Sequence, residues 1–211
     1  MNTKKIILQQ SLELFFYFGI QHITMDDIAK KCGISKKTIY KYFENKGDLL
    51  HHTIKLQAEV LKEYIKEISV NSKNSLEELY CFFEYVNGIS LIISPTFSKE
   101  LKKYHPNNYI EVFKYKNEII LPFALHNIEK GKQEKLYKND LNAEEICEAF
   151  DNISKIIFTS DLSFNSHTNK NAINFLNSLF MYRLVSVKGL EVLNKFINVV
   201  PKIQIKNIIL Y

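Results

Sequence analysis

The residue types best suited to chemistry lie close together: Thr24, Met25, Ser35, Lys36, Lys37, Thr38, Tyr40, Lys41, Tyr42 and Lys46. Between positions 35 and 43 the chain offers ammonium and hydroxyl donors and no carboxylate. Donors of that kind bind phosphate oxygens and the acceptor edges of bases, and a carboxylate among them would be repelled by a duplex. The only arginine is Arg183, so the bidentate arginine–guanine contact is not on offer here. Base reading would fall to Lys36 or Lys37 on guanine, to Thr38 against a thymine methyl, or to DNA shape. Taken singly, each lysine is commonly a solvated residue and each tyrosine a packing residue. What weighs against that bland reading is their register on helices.

Other chemistry finds no support in the residue pattern. His22, His51, His52, His105, His126 and His167 are scattered, and no HExxH, nucleophile elbow, phosphate-cradling glycine loop or dinucleotide fingerprint occurs. The pattern points away from an enzyme and implies no cofactor. Cys32, Cys81 and Cys147 are isolated and odd in number, which suggests neither a disulfide framework nor a zinc site but thiols in a reducing compartment. The N-terminus is basic and then apolar, yet Gln9, Gln10 and Glu13 interrupt the run, and no stretch approaches the roughly 20 apolar residues of a membrane span. A cytoplasmic location is the expectation.

The elements that must position the donors follow from periodicity and capping. Six glycines and four prolines in 211 residues, with abundant Ile, Leu, Lys and Glu, favour an all-α fold. Ile7, Leu8, Leu12, Phe15 and Phe18 recur at helical spacing until Gly19. Thr24 opens a second helix with Asp27 in capping-box register, and Gly33 closes it. Ser35 caps a third helix over 36–43, and Asn45 caps a long fourth over 46–69. Ile28, Ala29, Ile34, Ile39 and Phe43 would form the small core beneath the donors. Two helices joined by a short glycine turn are the helix-turn-helix signature. Residues 1–50 carry eight lysines against five carboxylates, so most of the net charge of +5 sits at this end. Further helices are expected at 76–93, 98–104, 107–131 with a kink at Pro122, 143–161, 169–187 and 189–199. The tail 202–211 is unusually apolar, and docking on the body is expected of it.

The stretch from Ile7 to Leu50 resembles the N-terminal domain of TetR-family repressors. The resemblance rests on Ile7, Leu8, Leu12, Phe15, Gly19, Thr24, Ile28, Ala29, Gly33, Ile34, Ser35, Thr38, Ile39, Tyr40, Tyr42, Phe43, Lys46 and Leu49. It implies that Thr24 and Met25 start the second helix beside a DNA backbone. It also implies that Lys36, Lys37 and Thr38 face bases or nearby phosphates, that Tyr40 and Tyr42 bond phosphates, and that Lys46 meets one at the start of the fourth helix. The sequence departs from the family at Lys37, where Gly or Pro is common, and at Gly47, where Glu is common. The second departure predicts a looser first turn of the fourth helix.

The remaining chain reads as a sensor and dimerisation unit. The expected architecture is an N-terminal three-helix DNA-binding domain, residues 1–50. A long fourth helix joins it to a larger helical ligand-binding and dimerisation domain, residues 51–211. Aromatics crowd residues 76–131, and Phe83, Asn87, Tyr104, Tyr109, Phe113, Phe123 and His126 are candidates to line a pocket for an apolar effector. The two helices near 143–161 and 169–187 are apolar on more than one face, which calls for a second packing partner or full burial within one subunit. The family resemblance assigns them to a homodimer interface, with Phe150, Ile153, Ile157, Phe175, Leu179 and Tyr182 as candidates. The implied function is a ligand-responsive repressor on a palindromic operator. The competing readings are a DNA-binding regulator controlled by a protein partner, and a helical enzyme or carrier that has kept a vestigial DNA domain.

Overall fold

The computed structural model describes residues 2–159 and 166–197, the side chains within 153–172 and 196–197 excepted. Among these residues the fold is all-α, and the only strand-like feature is a single bridge between Tyr137 and Val185.

Helix α1 (Thr3–Phe18) buries the stripe Ile7, Leu8, Leu12, Phe15 and Phe16. It crosses α2 (Met25–Cys32) and α4 (Lys46–Asn71), with α3 (Lys36–Tyr40) held beneath by Ile39 and Phe43, both essentially fully buried. The 26 residues of α4 extend about 39 Å at 1.5 Å per residue. Its first half gives Leu49, Leu50 and Ile54 to the N-terminal core, while Ile68 near its end belongs to a second core. One helix therefore carries both halves of the molecule.

Beyond α4 the chain forms α5 (Ser75–Ile92), α6 (Pro95–Tyr104) and α7 (Pro106–Tyr115). The single kinked helix expected over 107–131 is instead α7, a π-helical turn Lys116–Ile120, and α8 (Leu121–Gln133). Pro122 supplies the reason. It has no N–H to donate, and its ring crowds the carbonyl four residues back. The wider π turn takes up that misfit just before the proline, with the Leu121 N–H reaching the Lys116 carbonyl. Helices α9 (Ala143–Thr159), α10 (Ser166–Leu184) and α11 (Val187–Ile197) complete the described chain. The apolar tail 202–211 lies outside the described residues.

The second core gathers Leu76, Leu79, Phe82, Phe83, Phe123, Ile128, Tyr137, Met181, Leu184 and Leu193. A polar knot ties its helices together. Glu78, fully buried on α5, accepts from Ser69 Oγ (2.5 Å), Asn127 Nδ2 (3.1 Å) and Lys130 Nζ (2.9 Å). Tyr137 Oη donates to Asn127 Oδ1 at 3.0 Å, and burial pushes its phenol well above the usual range. The first core does not close at residue 50, because Ile92, Phe97 and Leu101 from α5 and α6 are part of it.

Candidate nucleic-acid interface

The helix-turn-helix is organised by four local devices legible in the backbone. Thr24 accepts the Asp27 N–H (3.2 Å) while Asp27 accepts the Thr24 N–H (2.9 Å) and hydroxyl (2.6 Å), a complete capping box. Those bonds hold the Asp27 carboxyl below the usual carboxylate range. Gly33 takes a left-handed conformation (φ 66°, ψ 30°) and turns the chain from α2 into α3. Ser35 Oγ accepts the Thr38 N–H at 3.1 Å and lies 2.8 Å from the Thr38 hydroxyl. Asn45, fully extended, accepts the Asp48 N–H at 2.9 Å and starts α4.

Helix α3 is shorter than expected, ending at Tyr40 rather than near Phe43. The chain tightens there into three-residue bonds, Lys41 N–H to Thr38 O (3.3 Å) and Tyr42 N–H to Ile39 O (2.9 Å). That tightening delivers Phe43 to the core and Asn45 to its cap. A Cβ at position 47 would press to 3.1 Å from Asn45 Oδ1, so glycine gives the cap room.

Most of the expected DNA-facing residues are brought to one surface. Thr24, Ser35, Lys36, Lys37, Tyr40, Lys41 and Tyr42 are exposed, and Thr38 and Lys46 are half-buried. Tyr40 and Tyr42 retain 47% and 41% of their accessibility, which sets them apart from packing tyrosines. Met25 is the correction: the residue is only 6% exposed and its side chain packs in the first core, where burial of its apolar surface is favourable.

Two lysines have intramolecular partners that the residue pattern did not reveal. Lys36 Nζ sits 2.8 Å from Asp26 Oδ2, and this hydrogen bond and the charge of Asp26 raise its pKa. Asp26 thus does more than complement the α2 dipole. Lys46 Nζ donates to the Gln21 carbonyl at 3.4 Å. Burial lowers its pKa, with Glu100 and Asp27 acting against the shift.

The seven pocket candidates have different surroundings among the described residues. Phe83 and Phe123 lie in the second core, where Phe82 stacks at 4.8 Å on Phe123 and Phe83 meets Phe150 and Phe180 at 5.7 and 5.8 Å. Tyr109 and Phe113 pair edge to face at 4.8 Å, Tyr109 against the first core. Tyr104 and His126 are exposed, and Asn87 Oδ1 accepts from Asn177 Nδ2 at 2.9 Å. A hollow of about 420 Å³ lined by Leu125, Glu129, Lys132, Leu141, Asn142, Ala143 and Glu144 lies on the outer side of α8 and shares none of the seven.

Of the dimer candidates, Phe175 (65% exposed), Leu179 (51%) and Tyr182 (47%) form one apolar face on α10 at spacings of four and three residues. Phe150 is engaged inside its own subunit, 4.6 Å from Phe180. The side chains of Ile153 and Ile157 lie outside the described residues. Among the described residues no group of three His, Cys, Asp or Glu is placed to hold a metal ion, and no helix is long and apolar enough to cross a membrane.

Residues 7–53 match the family model described as bacterial regulatory proteins, tetR family. The HTH-type transcriptional regulator YhgD of Bacillus subtilis is 28% identical over 140 residues, 62% of this chain and 70% of its own length. An HTH-type transcriptional regulator of Staphylococcus aureus is 28% identical over 74 residues, 35% of this chain and only 40% of its own length. Similar folds occur in the regulatory protein TetR from Rhodobacter sphaeroides (TM-score 0.71, 14% identity, 86% of this chain and 98% of that one). They occur also in the fatty acid degradation regulator FadR from Bacillus halodurans (TM-score 0.61, 16% identity, 85% and 95%).

Proposed function

We propose that the chain, whose residues 7–53 match the model of the tetR family of bacterial regulatory proteins, is a DNA-binding transcriptional regulator, a repressor that binds a palindromic operator as a homodimer. The observation that carries the reading is the donor surface of Ser35, Lys36, Lys37, Thr38, Tyr40, Lys41 and Tyr42, a stretch without a carboxylate of its own, presented by a fully capped helix-turn-helix. The proposed contacts divide by chemistry. Thr24, Tyr40, Tyr42, Lys41, Lys46 and the Met25 amide bond phosphates, while Lys36, Lys37 and Thr38 reach base edges. Ser35 holds Thr38 in place.

A two-fold dimer through the α10 face of Phe175, Leu179 and Tyr182 would bury an otherwise exposed apolar stripe. It would also set two α3 helices against successive major grooves. Division at residue 50 is proposed as a functional boundary, with α4 carrying motion from the C-terminal helices to the head. A small, largely apolar effector would act by parting the interlocked rings of Phe82, Phe83, Phe123, Phe150 and Phe180 and so releasing the operator. That same ring packing specifically favours a second reading, in which a protein partner rather than a small molecule controls the DNA-binding state.

Selection of bound DNA from a random pool with the full chain tests the proposal. The expected product is an inverted repeat with half-sites centred about one helical turn, 10–10.5 base pairs, or a multiple of it apart. Recovery of no repeat would remove the dimeric repressor, and operator binding that no apolar compound alters would remove the effector.

A further inference from the structure

The turn between α1 and α2 is held by a residue from the other half of the molecule. Gly19 ends α1 at φ 83°, a conformation glycine adopts freely, and the next two amides leave the helix pattern. Both donate to one carboxylate oxygen of Glu100 on α6, Ile20 N–H at 2.5 Å and Gln21 N–H at 2.8 Å. Successive backbone amides converging on one oxygen make an anion-binding concavity, here filled by the protein's own side chain. The fit is close: a Cβ on Gly19 would stand 2.8 Å from that oxygen and 2.9 Å from Thr96 Cγ2. Glu100 is 9% exposed, and a charge so buried is costly unless it is paired.

The same turn is gripped from its other side. Lys46 Nζ donates to the Gln21 carbonyl, and Lys46 begins α4 at the proposed phosphate contact. Around the clamp, the Ser94 N–H donates to Phe16 O at 2.7 Å and Phe97 packs edge to face on Phe16 at 5.0 Å. Apolar packing alone would hold α6 to α1. The carboxylate adds direction, because two amides and one oxygen define a register that rings sliding on rings do not.

We propose that Glu100 is a positioning residue for DNA binding, latching the α1–α2 turn to α6 so that the attitude of the reading head follows the position of α6. This rests on the regulator reading above and specifies how its C-terminal half sets the spacing of two heads. The latch predicts a loss of discrimination between operator spacings, not a loss of contacts within one head.

The test uses the full chain, its Glu100→Gln and Glu100→Ala variants, and the operator recovered by selection. That operator is compared with versions carrying one base pair inserted or removed at the centre. The variants are expected to bind the parent operator about five- to tenfold more weakly. Their preference for parent over altered spacing should shrink by a similar factor, while binding to a single half-site stays unchanged. Hydrogen exchange in the absence of DNA is expected to show faster exchange of the Ile20 and Gln21 amides in Glu100→Ala, and a smaller change in Glu100→Gln, whose carboxamide oxygen can still accept. Unchanged spacing preference, or retained protection of both amides in folded Glu100→Ala, overturns the latch. Wild-type protein that recovers no repeat overturns the regulator reading instead, and the exchange measurement still reads the contact on its own.

Discussion

Replacing Lys46 by Ala separates DNA binding from folding at one residue. Lys46 is half-buried at the first position of α4, where an ammonium opposes the positive end of the helix dipole. Its burial already lowers its pKa in the free protein, so a phosphate meeting it finds a partly desolvated charge. A hydrogen bond to a charged group contributes about 1.5 kcal/mol at the lower end of its range. Two copies in a dimer then contribute about 3 kcal/mol, roughly a 150-fold loss of operator affinity in Lys46→Ala. Each neutralised phosphate steepens the salt dependence by about 0.9, so the slope of log K against log salt should flatten by about 1.8. Fluorescence anisotropy on the selected operator from 50 to 300 mM salt reads both quantities. Thermal stability should hardly change, because the weak 3.4 Å bond to Gln21 is lost together with an unfavourable dipole interaction. A variant with the parental salt slope would refute the phosphate contact, and one that melts far below the parent would show Lys46 to be structural.

Ile39→Ala empties a fully buried site under α3 and should cost about 2–5 kcal/mol in urea unfolding; a cost under 1 kcal/mol would contradict the core assignment. Thr24→Ala removes the α2 cap and should cost about 1 kcal/mol, with faster amide exchange confined to the first turn of α2. Leu179→Glu places charge on the exposed α10 face and should yield a folded monomer by sedimentation that no longer holds the palindrome; a persistent dimer would move the interface elsewhere. Burial, with Lys46 pushing the same way against Glu100, holds His105 below the usual imidazole range, and burial with Lys4 does so for His52 against Asp48. A lowered folded-state pKa means that the unfolded chain binds more protons. This stabilisation is therefore complete above the ordinary value of 6.5 and is lost as pH falls through the lowered values. The melting temperature should accordingly drop between pH 7.5 and 5.5, and less so in a His52→Gln, His105→Gln double variant; equal slopes would exclude both imidazoles.

The sequence by itself determined whatever depends on bonds between near neighbours. Thr24 with Asp27, Gly33, Ser35 with Thr38, and Asn45 with Asp48 are all separated by three residues or fewer or stand alone. Their types therefore announced caps and turns before any coordinates, and the carboxylate-free donor surface followed from helical spacing. Tertiary structure decided the rest, because it depends on which distant groups meet. Met25 left the contact surface for the first core, a burial that depends on distant neighbours and that no local pattern encodes. Phe82, Phe83, Phe123, Phe150 and Phe180 meet because four helices bring their rings together, so composition pointed to an apolar interior without saying which rings would touch. The π turn before Pro122 balanced a missing N–H against continuous packing. Glu100 carries no local signal at all. Its carboxylate is ordinary on α6 until the fold brings it, across 80 residues, to the amides of Ile20 and Gln21.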